Sequence, residues 1–122
     1  MNTKQFSQFD IDAMEQRFRT NFINSISGFK SVALIGTTDL NKQLNLAIFS
    51  SIVHIGAHPP LLGFMVRPDS VERHTLENII ETKEYSINFI DEAVFKKAHQ
   101  TSARYPKNTS EFGAVGLTPE FR

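Results

Sequence analysis

Three β-prone runs follow one another with only short polar breaks between them: Ser31–Thr37, Leu44–His54 and Leu61–Arg67. Parallel strands need a crossover of roughly a dozen residues or more, and these gaps are shorter. Neighbouring strands are therefore expected to be antiparallel. The first break, Thr38-Asp39-Leu40-Asn41-Lys42, is a turn-type cluster, and Leu44–His54 reads as one returning strand. Leu61–Arg67 is mostly apolar, which predicts a strand buried on both faces and ended by Pro68. Pro59-Pro60 fixes an extended approach to it.

Helices surround these runs. Asp10 is placed as the N-cap of a helix over residues 10–19, with Ile11, Met14 and Phe18 on one face. Thr75 is expected to cap a second helix whose Leu76, Ile79 and Ile80 form the buried stripe. Tyr85, Ile87 and Phe89 alternate with Ser86 and Asn88, the period of a strand with one wet face. A further helix is predicted from Asp91 to about Thr101, and Tyr105–Pro119 reads as loop. About five strands are readable in one domain of 122 residues, residues 1–122. The fold class is mainly β with helical insertions, antiparallel, and a barrel would remove its open edges.

Composition narrows the function classes. Lys plus Arg and Asp plus Glu both number 13, which gives no argument for nucleic acid or a membrane surface. No apolar run reaches the roughly 18 residues of a membrane span, and the N-terminus lacks a signal-peptide pattern, so a cytoplasmic location is the default. The absence of Cys excludes disulfides and zinc–thiolate sites. His54 and His58 have the spacing of a helical metal pair but fall on a strand end and loop, without a neighbouring carboxylate, so no metal site is expected. There is no Gly-x-Ser-x-Gly elbow and no Gly-x-Gly-x-x-Gly turn, which argues against a hydrolase serine and a Rossmann dinucleotide site. Lys96, Lys97, Arg104 and Lys107 make a locally basic stretch, read as a solvated helix end and loop in preference to a ligand-phosphate contact.

The segment Asn45–Asn78 carries the strongest functional signal. Asn45, Ala47, Ser50 and Ser51 offer hydrogen bonds while leaving room for a flat ligand. Arg67, Arg73 and Thr75 then cluster where a helix N-terminus attracts an anion. A planar heterocycle with a phosphate would use both halves. Each residue also has a plainer use: Asn45 in closing the hairpin, the serines on a polar strand face, the arginines as solvated charges.

The pattern Asn45-x-Ala47-x-Phe49-Ser50, then Pro59-Pro60, then Arg73-His74-Thr75-x-x-Asn78, resembles the flavin reductase family of FMN-binding split barrels, on its flavoredoxin-like side. Arg17–Thr37, Glu84–Ile90 and His99–Phe121 are similar to further segments of that family, in the same order. Ser51 and Glu111 depart from it, since some relatives carry an aromatic and a Lys near those positions.

The resemblance implies an antiparallel split β-barrel, here incomplete because the chain stops where relatives continue through more strands. It implies FMN as cofactor, NAD(P)H as reductant, and hydride transfer from the nicotinamide to the flavin without an obligatory catalytic residue. An electron carrier without NAD(P)H turnover, or a relative without flavin, are its alternatives. Asn45, Ala47, Phe49, Ser50 and Ser51 would line the ring and ribityl chain, Arg67, Arg73 and Thr75 the phosphate side, and Ser102 the opposite loop. A homodimer is implied, covering the open edge.

Overall fold

The computed structural model describes residues 1–67 and 74–121. The chain divides into two compact units, Met1–Lys30 and Ser31–Arg122.

The first unit is a pair of helices, α1 (Gln8–Ala13) and α2 (Gln16–Ile26), where a single helix over 10–19 was expected. The N-cap is Ser7. Its hydroxyl accepts from Asp10 N, and Asp10 returns the bond to the Ser7 backbone, so Asp10 is the third residue of a capping box and not the cap. The Ser7 hydroxyl, donating to Asp10 Oδ2 at 2.7 Å, and then the Ser7 backbone N–H hold the Asp10 carboxyl below its ordinary pKa. Met14 and Glu15 are both extended, which breaks the helix, and the Glu15 carboxylate then accepts from Phe18 N at 2.9 Å. The Arg19 guanidinium donates to the Asp12 carbonyl (3.1 Å) and the Met14 carbonyl (3.4 Å), groups that end α1 without helical partners. Met14 and Phe18 therefore do not share one continuous helical face. Phe22 packs against Phe6 and Phe18, with ring centroids 5.0 and 6.3 Å away.

The second unit is built on a three-stranded antiparallel sheet, ordered β2–β1–β5, with β1 Ala33–Thr38, β2 Leu44–Phe49 and β5 Ser86–Phe89. The β1–β2 turn forms because the Asp39 side chain accepts from Asn41 N and Gln43 N, at 2.8 and 2.9 Å, with Lys42 at positive φ. Period-two alternation divides the sheet cleanly. Leu34 and Leu46 face one side, where they pack with Ala98, Ile48, Phe112 and Leu117. Ile35, Thr37 and Asn45 face the other, under α3 (His74–Thr82). Helices α4 (Phe95–Gln100) and α5 (Glu111–Val115) complete the unit, each packing against β2.

The expected strand Leu44–His54 is two strands. It breaks at Ser50-Ser51, and β3 (Ile52–Ala57) leaves to pair with β4 (Pro60–Phe64) in a separate hairpin around a cis His58–Pro59 bond. The antiparallel expectation holds for every pairing in the described residues. Three expectations do not. Leu61 and Leu62 are exposed at 47% and 45%, because no second layer covers β4 among the described residues. The stripe of α3 that faces the sheet is Thr75 and Asn78, while Ile80 is exposed. The predicted loop over Tyr105–Pro119 contains α5, ended by Gly116 at φ 69°, a left-handed C-cap that suits glycine.

Among the described residues neither sheet closes on itself, and helix (32%) exceeds strand (23%), so mainly β is too strong.

Candidate functional site

β2 has β1 as its one neighbour among the described residues, and a cleft of about 790 Å³ runs along it. Asn45 and the five consecutive residues Ala47–Ser51 supply its floor. Met65, Val66 and Arg67 line it from the chain leaving β4, and His74, Thr75 and Leu76 from the first turn of α3. Thr101–Tyr105, after α4, and Glu111 of α5 line it as well. The volume lies within the usual range for small-molecule sites, roughly 300–1,000 Å³.

Of the expected site residues, Asn45, Ala47, Phe49, Ser50, Ser51, Arg67, Thr75 and Ser102 all line this cleft. Arg73, the expected phosphate ligand, lies outside the described residues. The bonding of the others differs from expectation. Asn45 does not close the hairpin: it is buried and its amide donates to Thr75 Oγ1 (2.8 Å) and Thr37 Oγ1 (3.4 Å). Asn78 Nδ2 donates to the same Thr37 hydroxyl at 3.0 Å. This buried polar set fastens α3 to β1 and β2. Both Asn45 amide hydrogens are used within the fold, so its Oδ1, an acceptor, is what remains for a ligand. Thr75 lies within α3 and is not its cap, for His74 before it is already helical.

The Ser51 hydroxyl donates to the Met65 carbonyl at 2.9 Å and accepts from Met65 N at 3.2 Å. It joins the start of β3 to the end of β4, which leaves no donor for a ligand. The Ser102 hydroxyl likewise donates to the His99 carbonyl, at 2.7 Å, closing the end of α4. Phe49 contacts Phe64 edge-on at 4.8 Å, and Phe64 contacts Tyr85 at 5.3 Å, so an aromatic chain ties the hairpin to the main sheet.

Some lining residues were not expected site residues. Arg104 belongs to the stretch read as a solvated helix end in preference to a ligand-phosphate contact, yet it lines the cleft beside Tyr105. Glu111 was noted as a departure and is buried here, its Oε2 accepting from Leu46 N at 3.0 Å. The signal for both lay in their falling just before or within a segment rich in Pro, Asn and Ser, where function often concentrates. Among the described residues no His, Cys, Asp and Glu group could hold a metal ion, and no helix is long and apolar enough to cross a membrane.

Residues 26–122 match the flavin reductase like domain family. The chain belongs to that family. An uncharacterized protein of Aquifex aeolicus (strain VF5) is 33% identical over 93 residues, covering 75% of this chain and 47% of that protein. Among solved structures, a protein of Shewanella frigidimarina NCIMB 400, described as a candidate flavin reductase with a split barrel domain, is 52% identical with a TM-score of 0.91. That match covers 98% of this chain and 59% of the other. Nitrilotriacetate monooxygenase component B of Bacillus cereus has the same fold, at 22% identity and a TM-score of 0.83, covering 98% of this chain and 58% of its own. The chain thus spans about half the length of the curated relatives it matches.

Proposed function

We propose that the cleft along β2 holds FMN and that the chain is the flavin-holding part of an NAD(P)H-dependent flavin oxidoreductase. The observation that carries this reading is one cleft, in a member of the flavin reductase like family, that gathers an apolar wall, cationic side chains and a helix start. Ile48, Phe49, Met65 and Tyr105 provide apolar surface for a flat ring. Arg67 and Arg104 provide guanidinium groups, and His74–Leu76 bring the positive end of α3 to the same wall, which suits a phosphate. The Shewanella protein's description as a flavin reductase supports the same assignment. When bound, FMN supplies the hydride acceptor for a nicotinamide and the donor for electrons passed onward. The chain's own part is to hold the ring, exclude water with Phe49 and Met65, and orient the phosphate. The exposed apolar hairpin β3–β4 supports a homodimer, which sedimentation of the purified protein tests.

The deciding experiment is titration with FMN and riboflavin. FMN is expected to bind more than about tenfold tighter, the value of one charge-assisted contact, and Arg67→Ala is expected to narrow the gap. Equal affinities would remove the phosphate site, and no binding would remove the flavin. Consumption of NADH or NADPH with added FMN separates an oxidoreductase from an electron carrier.

A further inference from the structure

Glu111 opens α5 and reaches the outer edge of β2, where its Oε2 accepts from Leu46 N at 3.0 Å. With β1 on its other side, β2 turns that N–H outward, and a buried N–H requires an acceptor. An uncharged amide would meet this need equally well. What the cap leaves unexplained is Oε1. It belongs to a side chain only 8% exposed that lines the cleft, and it has no hydrogen-bond partner among the described residues. A carboxylate is an acceptor-only group, and this oxygen, on a residue that lines the cleft and is not sealed inside the fold, is free to accept from a ligand. At this place the cleft offers an acceptor that suits a ligand donor.

We propose that Glu111 determines ligand specificity by accepting, through Oε1, the imide N3–H of the flavin ring. This rests on the reading of the cleft as a flavin site. The oxidised isoalloxazine carries one ring N–H, set between two carbonyls, and it is the one ring group that can satisfy a carboxylate. A carbonyl or a phosphate placed there would meet an unpaired acceptor and a like charge, so Glu111 also sets which way round the ligand lies. The neutral imide N–H to carboxylate bond is charge-assisted and is the strong kind.

The test compares FMN with FMN methylated at N3, on the wild-type protein and on Glu111→Gln. Gln keeps the length, and its amide oxygen accepts from Leu46 N, which turns the NH₂ group toward the cleft. Wild type is expected to bind FMN at least about tenfold tighter than the N3-methyl compound. In Glu111→Gln that ratio is expected to fall to about one, while the melting temperature of the flavin-free protein stays unchanged. A wild-type ratio near one overturns the assignment of Glu111 and leaves the flavin site standing, as does a variant that keeps the full ratio. A wild type that binds neither compound overturns the flavin site itself and this inference with it. The wild-type ratio needs no variant, so the proposal stays open to refutation even where Glu111→Gln does not fold.

Discussion

The sheet β2–β1–β5 and the hairpin β3–β4 are made from the same kinds of residue and live in different environments. β1 buries Ala33, Leu34 and Ile35 almost completely, between α3 on one side and the Leu46–Ala98 cluster on the other. β3 and β4 leave Val53, Ile55, Leu61 and Leu62 largely exposed. An apolar, β-branched run therefore says strand, and says nothing of what covers it. Covering depends on which helices return to the sheet, and α3, α4 and α5 all return to β1 or β2. The cleft lies where the two regions part, at Ser50-Ser51, so it draws a rigid wall from one and Met65 and Arg67 from the margin of the other.

The sharpest way to break this comparison is to truncate one isoleucine from each region. Ile35 is fully buried, and Ile35→Ala is expected to destabilise by about 2–5 kcal/mol. Ile55, 61% exposed, is expected to change stability by no more than about 0.5 kcal/mol as Ile55→Ala. Urea unfolding of both variants measures this. Similar losses would mean the hairpin is covered in solution.

Asn45→Leu comes next. It leaves the Thr75 hydroxyl without its buried donor, at about 1–3 kcal/mol, while Thr37 keeps the bond from Asn78. It also loosens α3 against the cleft, so FMN affinity is expected to fall with stability. Thermal melts and FMN titration on one sample check both. A drop in affinity at unchanged melting temperature would mean the buried network does not hold α3.

Two glycines carry the comparison further. A Cβ at Gly36 would stand 2.7 Å from Ser86 Oγ, which is held by Asn88 Nδ2 at 3.0 Å on the adjoining strand. A Cβ at Gly63 would stand 2.7 Å from Ile55 Cδ1, the free end of an exposed side chain. Gly36→Ala is expected to cost about 1 kcal/mol and Gly63→Ala close to nothing. Melting temperatures of the pair rank them, and the reverse order would contradict the covering assigned to each region.

Ser51→Ala is expected to fall between the two glycine variants, since it removes the two bonds to Met65 from a partly exposed site. The loss is about 0.5–1 kcal/mol. Hydrogen exchange should quicken at Met65 N and leave the β1 amides unchanged, because β1 belongs to the other sheet.

By itself the sequence determined what short-range chemistry decides. The Asp39 turn was legible because one carboxylate answers the backbone N–H groups of Asn41 and Gln43. The antiparallel pairing was legible because the breaks are too short for a crossover. Asn45, Ala47, Phe49, Ser50 and Thr75 were legible through a family pattern, and they line one cleft. Tertiary structure decided the rest. Leu44–His54 contains no proline and no glycine to mark a break, and it splits because its halves pair with different strands, β1 and β4. Asn45 and Asn78 are buried because each finds the Thr37 hydroxyl, and those three residues are far apart in the chain. Glu111 reaches the cleft only because α5 packs on β2, 65 residues from Leu46, the backbone it caps. Bonds over such separations leave no trace in local pattern, since the partner that satisfies each polar group is chosen by the fold and not by its neighbours.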